Sequence, residues 1–252
     1  MHIKSVEFAG AIGQVGQGAP QGVAGLPQVA FSGRSNVGKS SLINRLLGRT
    51  RTPIARVSGT PGKTQEINFF SVRSDAGDFT LVDLPGYGFA KAPAALRERW
   101  RGLIGSFLSS AGDLRGVVQL IDIRHGPTED DRRSIGYLAE VGLPVLFVLT
   151  KSDKLRLQKR RQAIAEIGER LGVAESQVIP VSALSGDGIE ELREALGALV
   201  TASHESGATE ADANTSSSGG DADGEETEAA RGEGVDGSAD GDGRVSTEDR
   251  AT

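Results

Sequence analysis

Short apolar runs and amphipathic segments alternate along residues 27–200. The runs GVVQLI (116–121) and PVLFVL (144–149) are almost continuously apolar, which is typical of strands buried on both faces. The pattern predicts strands over residues 27–32, 67–72, 79–82, 116–121, 144–149 and 177–181. It predicts helices over 40–47, 93–110, 127–141, 155–171 and 188–200, and an irregular Gly- and Gln-rich loop over 9–26. Strands that alternate with helices indicate an α/β domain with a mostly parallel sheet.

The charge distribution divides the chain into two predicted regions. Residues 203–252 hold 14 acidic and 3 basic residues and no Leu, Ile, Phe, Tyr, Trp, Met or Pro. Such a segment buries too little apolar surface to offset its ordering entropy, so we expect a disordered acidic tail. The tail is either a solvating segment or an arm that competes with nucleic acid for the folded part. Residues 1–202, the predicted folded domain, hold 25 basic and 20 acidic residues.

Composition excludes several classes of protein. The chain has no cysteine, which excludes a disulfide scaffold, a cysteine zinc site, an iron–sulfur site and a cysteine nucleophile. No apolar run approaches the roughly 20 residues of a membrane span. The N-terminal sequence MHIKSVEFAGAIG lacks the basic and apolar parts of a signal peptide. We therefore expect a soluble, cytoplasmic protein, and a monomer is the simplest expectation.

Residues 33–40 match the phosphate-loop pattern G-x-x-x-x-G-K-[ST] between a predicted strand and a predicted helix. Gly33 and Gly38 let the chain wrap so that backbone N–H groups and the helix N-terminus hold a β-phosphate. Lys39 adds a positive charge near the β- and γ-phosphates, and the Ser40 hydroxyl is a predicted Mg²⁺ ligand. The loop predicts nucleoside triphosphate binding without separating ATP from GTP. The predicted contacts here are Gly33, Arg34, Ser35, Asn36, Val37, Gly38, Lys39, Ser40 and Ser41.

The sequence Asp-Leu-Pro-Gly at 83–86 follows the predicted strand 79–82, although by itself it also fits an ordinary turn. Asp83 is expected to face Mg²⁺, and Gly86 can offer its N–H to the γ-phosphate. Thr64, rather than Thr60, is the predicted threonine that closes over Mg²⁺ in the preceding Gly-rich stretch. The predicted catalytic residues are Lys39, Thr64 and Gly86, and the predicted metal ligands are Ser40, Thr64 and Asp83. The predicted nucleotide contacts in this part of the chain are Gly62, Lys63, Thr64, Gln65, Glu66, Asp83, Leu84, Pro85 and Gly86.

The sequence Thr-Lys-Ser-Asp at 150–153 ends a predicted buried strand and points to guanine. A carboxylate at Asp153 can accept hydrogen bonds from N1–H and the exocyclic amine of guanine, whereas adenine offers no matching donors and would leave it unpaired. Alone, the same residues also fit a polar helix cap. Backbone N–H groups after the last predicted strand are expected near the guanine O6. The predicted guanine-site residues are Thr150, Lys151, Ser152, Asp153, Val181, Ser182 and Ala183.

These motifs together make the chain resemble a specific family. The set GRSNVGKSSLIN, GTPGKTQEINFF, DLPGYGFA, TKSDK and VSALSGDGI resembles the EngB (YihA/YsxC) family of bacterial GTPases, in the larger Era/TrmE-like group. The resemblance covers about residues 3–200. It implies a three-layer, Ras-like P-loop fold, GTP and GDP binding, and Mg²⁺ held by Ser40 and Thr64. It also implies a role in assembling the large ribosomal subunit, with contact to its rRNA, and in normal cell division and septation.

The expected chemistry is slow GTP hydrolysis in a nucleotide-gated switch. Tyr87 follows Gly86, where many GTPases carry a water-orienting Gln, so a partner or a monovalent cation is expected to raise the rate. Asn36 either helps to hold K⁺ or stabilises its loop. The alternative function is a GTP-dependent division factor that acts through a protein partner without ribosome binding. An ATP-using P-loop kinase is disfavoured because Asp153 and Ser182 would then have no purpose.

Two cationic clusters are candidates for contact with RNA phosphates. One is formed by Arg97, Arg99 and Arg101 around Trp100, and the other comprises Lys154, Arg156, Lys159, Arg160 and Arg161. By composition alone, both clusters also fit solvated helix faces, and Trp100 fits a core position. The three histidines are too far apart in sequence to indicate a metal site.

Overall fold

The computed structural model describes residues 1–55, 66–88 and 94–202. Within these ranges one seven-stranded sheet has the order β1-β3-β4-β2-β5-β6-β7. The strands are β1 (Ile3–Ile12), β2 (Gln28–Gly33), β3 (Ile67–Ser74), β4 (Phe79–Asp83), β5 (Leu114–Asp122), β6 (Val145–Thr150) and β7 (Val178–Pro180). The helices are α1 (Lys39–Leu46), α2 (Ala94–Ser110), α3 (Glu129–Glu140), α4 (Leu157–Leu171) and α5 (Ile189–Thr201). No helix in the described ranges is long and apolar enough to span a bilayer.

The sheet is parallel over most of its width. Strands β4, β2, β5, β6 and β7 run in the same direction, whereas β3 is antiparallel to both β4 and β1. Every strand and helix predicted from the apolar pattern is present, with shifts of one or two residues at most ends. The loops that follow the parallel strands therefore lie together at the carboxyl ends of these strands. They are the loops after β2, β4, β5, β6 and β7.

The N-terminal strand β1 corrects the prediction of an irregular loop over residues 9–26. Residues 9–12 belong to β1, which pairs with β3 from Ile3 opposite Ser74 to Ile12 opposite Ile67. Two irregularities in the register interrupt this pairing, and Gly10 has a positive φ of 142°. The strand lies at the edge of the sheet and only Val6 and Ile12 are buried in it. Because its pairing is irregular and only two of its residues are buried, the polar and apolar residues of β1 do not alternate regularly.

Helices cover both faces of the sheet and create two main layers of core. On β2, Val29 and Phe31 pack with α1 and α5, whereas Ala30 packs on the opposite face with α2 and Leu138 of α3. Ile167 of α4 packs in a third cluster against the β5 and β6 side of that second face. Successive strand residues point to opposite faces, so both helix layers are held by the same strands. The predicted three-layer α/β fold is confirmed.

Candidate nucleotide-binding site

The loop between β2 and α1 has a backbone that only certain residues can adopt. Asn36 and Gly38 have left-handed conformations, with φ of 63° and 106°. Gly33 has no room for a side chain, because an added Cβ would lie 3.0 Å from Cγ1 of Val37. The loop ends where α1 begins at Lys39, at the edge of the sheet where the parallel strands end. A glycine-containing loop that leads into a helix N-terminus is a favourable anion-binding arrangement.

A buried ion pair joins this loop to the end of β4. Lys39 Nζ donates a hydrogen bond to Oδ1 of Asp83, and only 9% and 4% of the two side chains are exposed. Buried charges of this kind are stable when they are paired. The structure therefore brings together the predicted phosphate-binding lysine and the predicted metal-facing carboxylate, and each holds the other in place.

The Asp-Leu-Pro-Gly segment packs directly against the phosphate loop. Ser35 N–H donates to the Tyr87 carbonyl at 2.8 Å, and Tyr87 N–H donates to the Gly33 carbonyl at 3.3 Å. An added Cβ on Gly86 would lie 3.3 Å from both Cα and N of Ser35. Because the two backbones are this close, a displacement of one segment directly affects the other.

The side chain of Tyr87 is hydrogen-bonded away from the phosphate loop. Its hydroxyl donates to Asp131 Oδ1 at 2.6 Å and accepts from Gln119 Nε2 at 2.5 Å. Burial, and then the neighbouring Asp131 carboxylate, raise the pKa of Tyr87 well above its usual range, so the hydroxyl keeps its proton. The other oxygen of Asp131 accepts from the Thr128 backbone N–H and hydroxyl in the capping box that begins α3.

The Thr-Lys-Ser-Asp segment after β6 is attached to the phosphate loop by two side chains. The Thr150 hydroxyl is buried and donates to the Val37 carbonyl at 2.6 Å. Lys151 has a left-handed φ of 62°, and its ammonium group donates to the Asn36 carbonyl at 2.7 Å. Thr150, at the start of the predicted guanine motif, thus contacts the same loop that carries the predicted phosphate contacts.

Asp122, at the end of β5, is a site residue that the sequence prediction missed. Its carboxylate accepts from Lys151 Nζ at 2.9 Å and from Arg124 Nε and Nη2 at 2.9 and 2.7 Å. Burial alone would raise the pKa of Asp122, but the hydrogen bonds from Arg124 and Lys151 outweigh it and hold the pKa well below its usual range. A carboxylate that is ionised at neutral pH therefore orients the lysine of the predicted guanine motif. Only its position at the end of a parallel strand could have indicated this role.

Asp153 and the loop after β7 form the other side of the predicted base site. Ser182 Oγ donates to Asp153 Oδ1 at 2.7 Å and accepts from the backbone N–H groups of Leu184 and Ser185 at 3.2 and 3.0 Å. The hydrogen bond from Ser182 lowers the pKa of Asp153, so its carboxylate is ionised at neutral pH. Backbone bonds from Val181 to β6 and from Ser152 to Val181 join the two loops.

The predicted site residues fall into two groups. Residues 33–41, 83–86, 150–153 and 181–183 lie at the carboxyl ends of β2, β4, β6 and β7, in the segments that follow these strands and in the first turn of α1. Glu66 is exposed, directly before β3, with its side chain 3.3 Å from where a Cβ on Gly13 would lie. Outside the described residues lie Thr60, Gly62, Lys63, Thr64, Gln65, the acidic segment 203–252, and the side chains of Arg97 and Trp100.

The arrangement can be compared with known proteins. The chain is 45% identical over 196 residues to a probable GTP-binding protein EngB of Gemmatimonas aurantiaca, a match that covers 78% of this chain and 93% of the relative. The chain belongs to the EngB family. A crystal structure of another probable EngB protein has a TM-score of 0.56 and 28% identity, and covers 69% of this chain and 98% of that one.

Two family profiles agree with this assignment. A profile described as a 50S ribosome-binding GTPase matches residues 28–151, and one described as the elongation factor Tu GTP-binding domain matches residues 104–202. A structure of Era in complex with MgGDPNP and nucleotides 1506–1542 of 16S ribosomal RNA has a TM-score of 0.58 and 25% identity. It covers 68% of this chain and 56% of that chain. The EngB chain is therefore a GTP-binding P-loop GTPase, as the sequence motifs predicted.

Proposed function

We propose that this EngB-family GTPase is a GTP-dependent switch that acts in assembly of the large ribosomal subunit and is needed for normal cell division and septation. The observation that carries the switch is the backbone contact between Ser35 and Tyr87, which joins the phosphate loop to the Asp-Leu-Pro-Gly segment. In P-loop GTPases, a bound γ-phosphate orders the segments around it, and its loss releases them. The profile description "50S ribosome-binding GTPase" supports the large subunit as the partner.

In this proposal the phosphates are held by the loop between β2 and α1. Lys39 leaves part of its pairing with Asp83 to contact the β- and γ-phosphates, and the amides of residues 33–41 surround them. The Gly86 N–H contacts the γ-phosphate, and the predicted Thr64 hydroxyl closes over Mg²⁺ when that phosphate is present. The reaction converts GTP and water to GDP and phosphate.

The residues at the carboxyl ends of the parallel strands also fit a bound Mg²⁺. Hydroxyl and carboxylate oxygens are the ligands that this hard cation prefers, and Asp83 is a buried carboxylate that already pairs with one cation, Lys39. We propose that Ser40, Thr64 and Asp83 hold the ion, with Asp83 acting through water. When bound, the ion would neutralise the negative charge of the phosphates during their transfer.

Guanine is recognised by Asp153 and the loop after β7. The Ser182 hydroxyl already orients the Asp153 carboxylate, so recognition of N1–H and the exocyclic amine requires little rearrangement. Lys151 is held by Asp122 and the Asn36 carbonyl, and we propose that its stem lies over the ring plane of guanine. The proposed base contacts are Thr150, Lys151, Ser152, Asp153, Val181, Ser182 and Ala183.

We expect slow intrinsic hydrolysis. Tyr87 holds the position after Gly86, and its hydroxyl is already bonded to Asp131 and Gln119, so this side chain does not orient the attacking water. A K⁺ ion near Asn36 or a partner is the expected activator, and comparing hydrolysis in KCl and NaCl separates these. We further propose a monomeric, cytoplasmic protein with a GTP-binding domain at residues 1–202.

The test is co-sedimentation of the full-length protein with purified large ribosomal subunits. Binding is compared with a non-hydrolysable GTP analogue, with GDP and without nucleotide, at two salt concentrations. Retention with the analogue and release with GDP is the expected result. Equal retention in all nucleotide states contradicts the switch. No retention in any state contradicts ribosome binding and favours a division factor that acts through a protein partner.

A further inference from the structure

A cavity lies between α4 and the turn that joins β5 to α3, outside the residues assigned to the nucleotide. It has a volume of about 290 Å³, which is at the lower end of the range for ligand cavities. Its polar lining includes Arg124, His125, Lys159, Gln162 and Arg170. We call it the α4 cavity. Three cationic side chains, those of Arg124, Lys159 and Arg170, therefore belong to the lining of one cavity.

Two of these arginines are held in place by the fold. Arg124 donates through Nε and Nη2 to Asp122, and Arg170 donates through Nη2 to the Pro127 carbonyl at 2.6 Å. Each guanidinium has five N–H donors, so both keep donors for a further acceptor. Because their positions are already fixed, a bound anion would not have to order them, which lowers the entropy loss of binding.

The backbone of the turn is adapted to Arg170. Gly126 has a positive φ of 64°, and an added Cβ would lie 2.5 Å from Arg170 Nη1. Only glycine therefore lets this guanidinium lie against the turn, beside the other cations of the cavity. The remaining charge in the lining is Glu166, whose Oε1 accepts from Gln162 at 2.9 Å. The carboxylate is thus partly engaged within its own helix.

The surroundings of the α4 cavity favour a chain of phosphates over a single anion. Lys154 and Arg156 are exposed at the start of α4, and residues 154–161 contain five cations and no carboxylate. Within the described part of the chain, no carboxylate lies within 4.0 Å of a side-chain nitrogen of Arg156 or Lys159. In the same segment Lys154 pairs with Asp153 at 3.4 Å and Arg160 with Asp187 at 4.0 Å. Repeated phosphates match the remaining cations, and Arg suits bidentate phosphate contacts.

We propose that the α4 cavity binds a backbone phosphate of RNA, and that the adjoining cations at the start of α4 contact the next phosphates. This inference rests on the proposed ribosomal function and identifies the surface that it uses. Asp122 belongs to both sites, since it holds Arg124 at the cavity and Lys151 at the guanine motif. RNA therefore docks immediately beside the bound nucleotide.

The experiment compares two double variants of the full-length protein. The cavity variant is Lys159→Gln with Arg170→Gln. The control is Arg73→Gln with Arg133→Gln, which changes the net charge equally. Both side chains are exposed and lie outside the α4 cavity, Arg73 beside Asp78 on β3 and Arg133 beside Glu129 on α3. Binding of in vitro transcribed large-subunit rRNA is measured by filter retention between 0.05 and roughly 0.5 M salt, a range over which phosphate contacts change affinity strongly.

The cavity variant should bind RNA about 30-fold more weakly at roughly 0.1 M salt, because two lost phosphate contacts reduce the salt slope by about 1.5. The control should stay within about twofold of wild type, since distant charges are screened. GDP affinity should be unchanged in both. Gly126→Ala, which displaces Arg170 without removing charge, should weaken RNA binding in the same direction.

Equal binding by the cavity variant and wild type overturns the proposal, and so does an equal loss in the control. Inorganic phosphate is also added as a competitor of the labelled RNA. If it displaces the RNA as well as unlabelled RNA does at the same total phosphate concentration, the cavity is a small-anion site and the proposal is overturned. Wild-type retention on intact subunits is measured in parallel. If the wild-type protein is not retained on the subunits, the proposed function is contradicted. If it is retained and the cavity variant binds RNA equally well, only the assignment of this surface is contradicted.

Discussion

Replacement of Asp122 by Asn tests whether the buried carboxylate orients the guanine-site lysine. The variant keeps the size of the side chain and one carbonyl oxygen. That oxygen can still accept from the Arg124 backbone N–H and Nε, as Oδ1 does now at 3.1 and 2.9 Å. The amide nitrogen then replaces Oδ2 and faces two donors, Lys151 Nζ and Arg124 Nη2. Two charge-assisted hydrogen bonds are lost.

The magnitude follows from these two bonds. Hydrogen bonds to charged groups contribute about 1.5–3 kcal/mol each when they are buried. Here the donors are partly accessible to water, with 27% of the Lys151 and 37% of the Arg124 side chain exposed. We therefore expect a loss of about 2 kcal/mol in the free energy of unfolding. GDP should bind roughly tenfold more weakly, because Lys151 is no longer held in the orientation that contacts the base.

The assay is fluorescence titration with a labelled GDP analogue, together with urea unfolding. Asp78→Asn is the matched control, because Asp78 pairs with Arg73 at 3.6 Å on an exposed surface. The pKa of Asp122 is lower in the folded state than its value of about 3.9 in an unfolded chain, so the ionised carboxylate stabilises the fold at pH values above about 3.9. This stabilisation is lost as the pH falls through the lowered pKa of the folded state. The stability difference between wild type and Asp122→Asn should therefore shrink below about pH 4. GDP binding within twofold of wild type would refute the orienting role.

Three further variants test the rest of the site. Asp153→Asn should shift preference from guanine toward xanthine nucleotides in competition titrations, and unchanged guanine preference contradicts that base contact. Thr150→Val leaves the buried Val37 carbonyl without its hydroxyl donor and should reduce the free energy of unfolding by about 1–3 kcal/mol in urea titration; an unchanged midpoint excludes a structural role for that bond. Gly86→Ala places a Cβ 3.3 Å from the Ser35 backbone and should slow GTP hydrolysis at least about tenfold, with GDP affinity little changed. Equal loss of GDP affinity would instead indicate a misfolded loop.

The apolar pattern predicted the central strands and the five α-helices of the described ranges because those segments are buried in a regular way. The pattern missed β1 because this strand lies at the edge of the sheet and its register with β3 is interrupted twice. Such a strand shows no regular alternation of polar and apolar residues. Its pairing with β3 joins residues more than fifty positions apart, and only Val6 and Ile12 are buried in it. A strand of this kind is specified by its partner in the sheet, which a local pattern does not contain.

Motif reading located most of the candidate site, since a phosphate loop and a guanine motif are contiguous in sequence. It missed Asp122, whose role arises where the end of β5 meets side chains from residues 124 and 151. It described Tyr87 only as a poor substitute for Gln. The contacts of Tyr87 with Gln119 and Asp131 come from β5 and α3, and no spacing in the sequence indicates them.

Asp131 uses its two oxygens for separate hydrogen bonds, so Tyr87 and the cap of α3 do not share an acceptor. Oδ1 accepts from the tyrosine, whereas Oδ2 accepts from the Thr128 backbone and hydroxyl at the start of α3. Release of Tyr87 would break its hydrogen bonds with Asp131 and Gln119 and expose one ring, but it would not unwind a turn of the helix. We therefore expect that Tyr87 can detach and return while α3 keeps its cap.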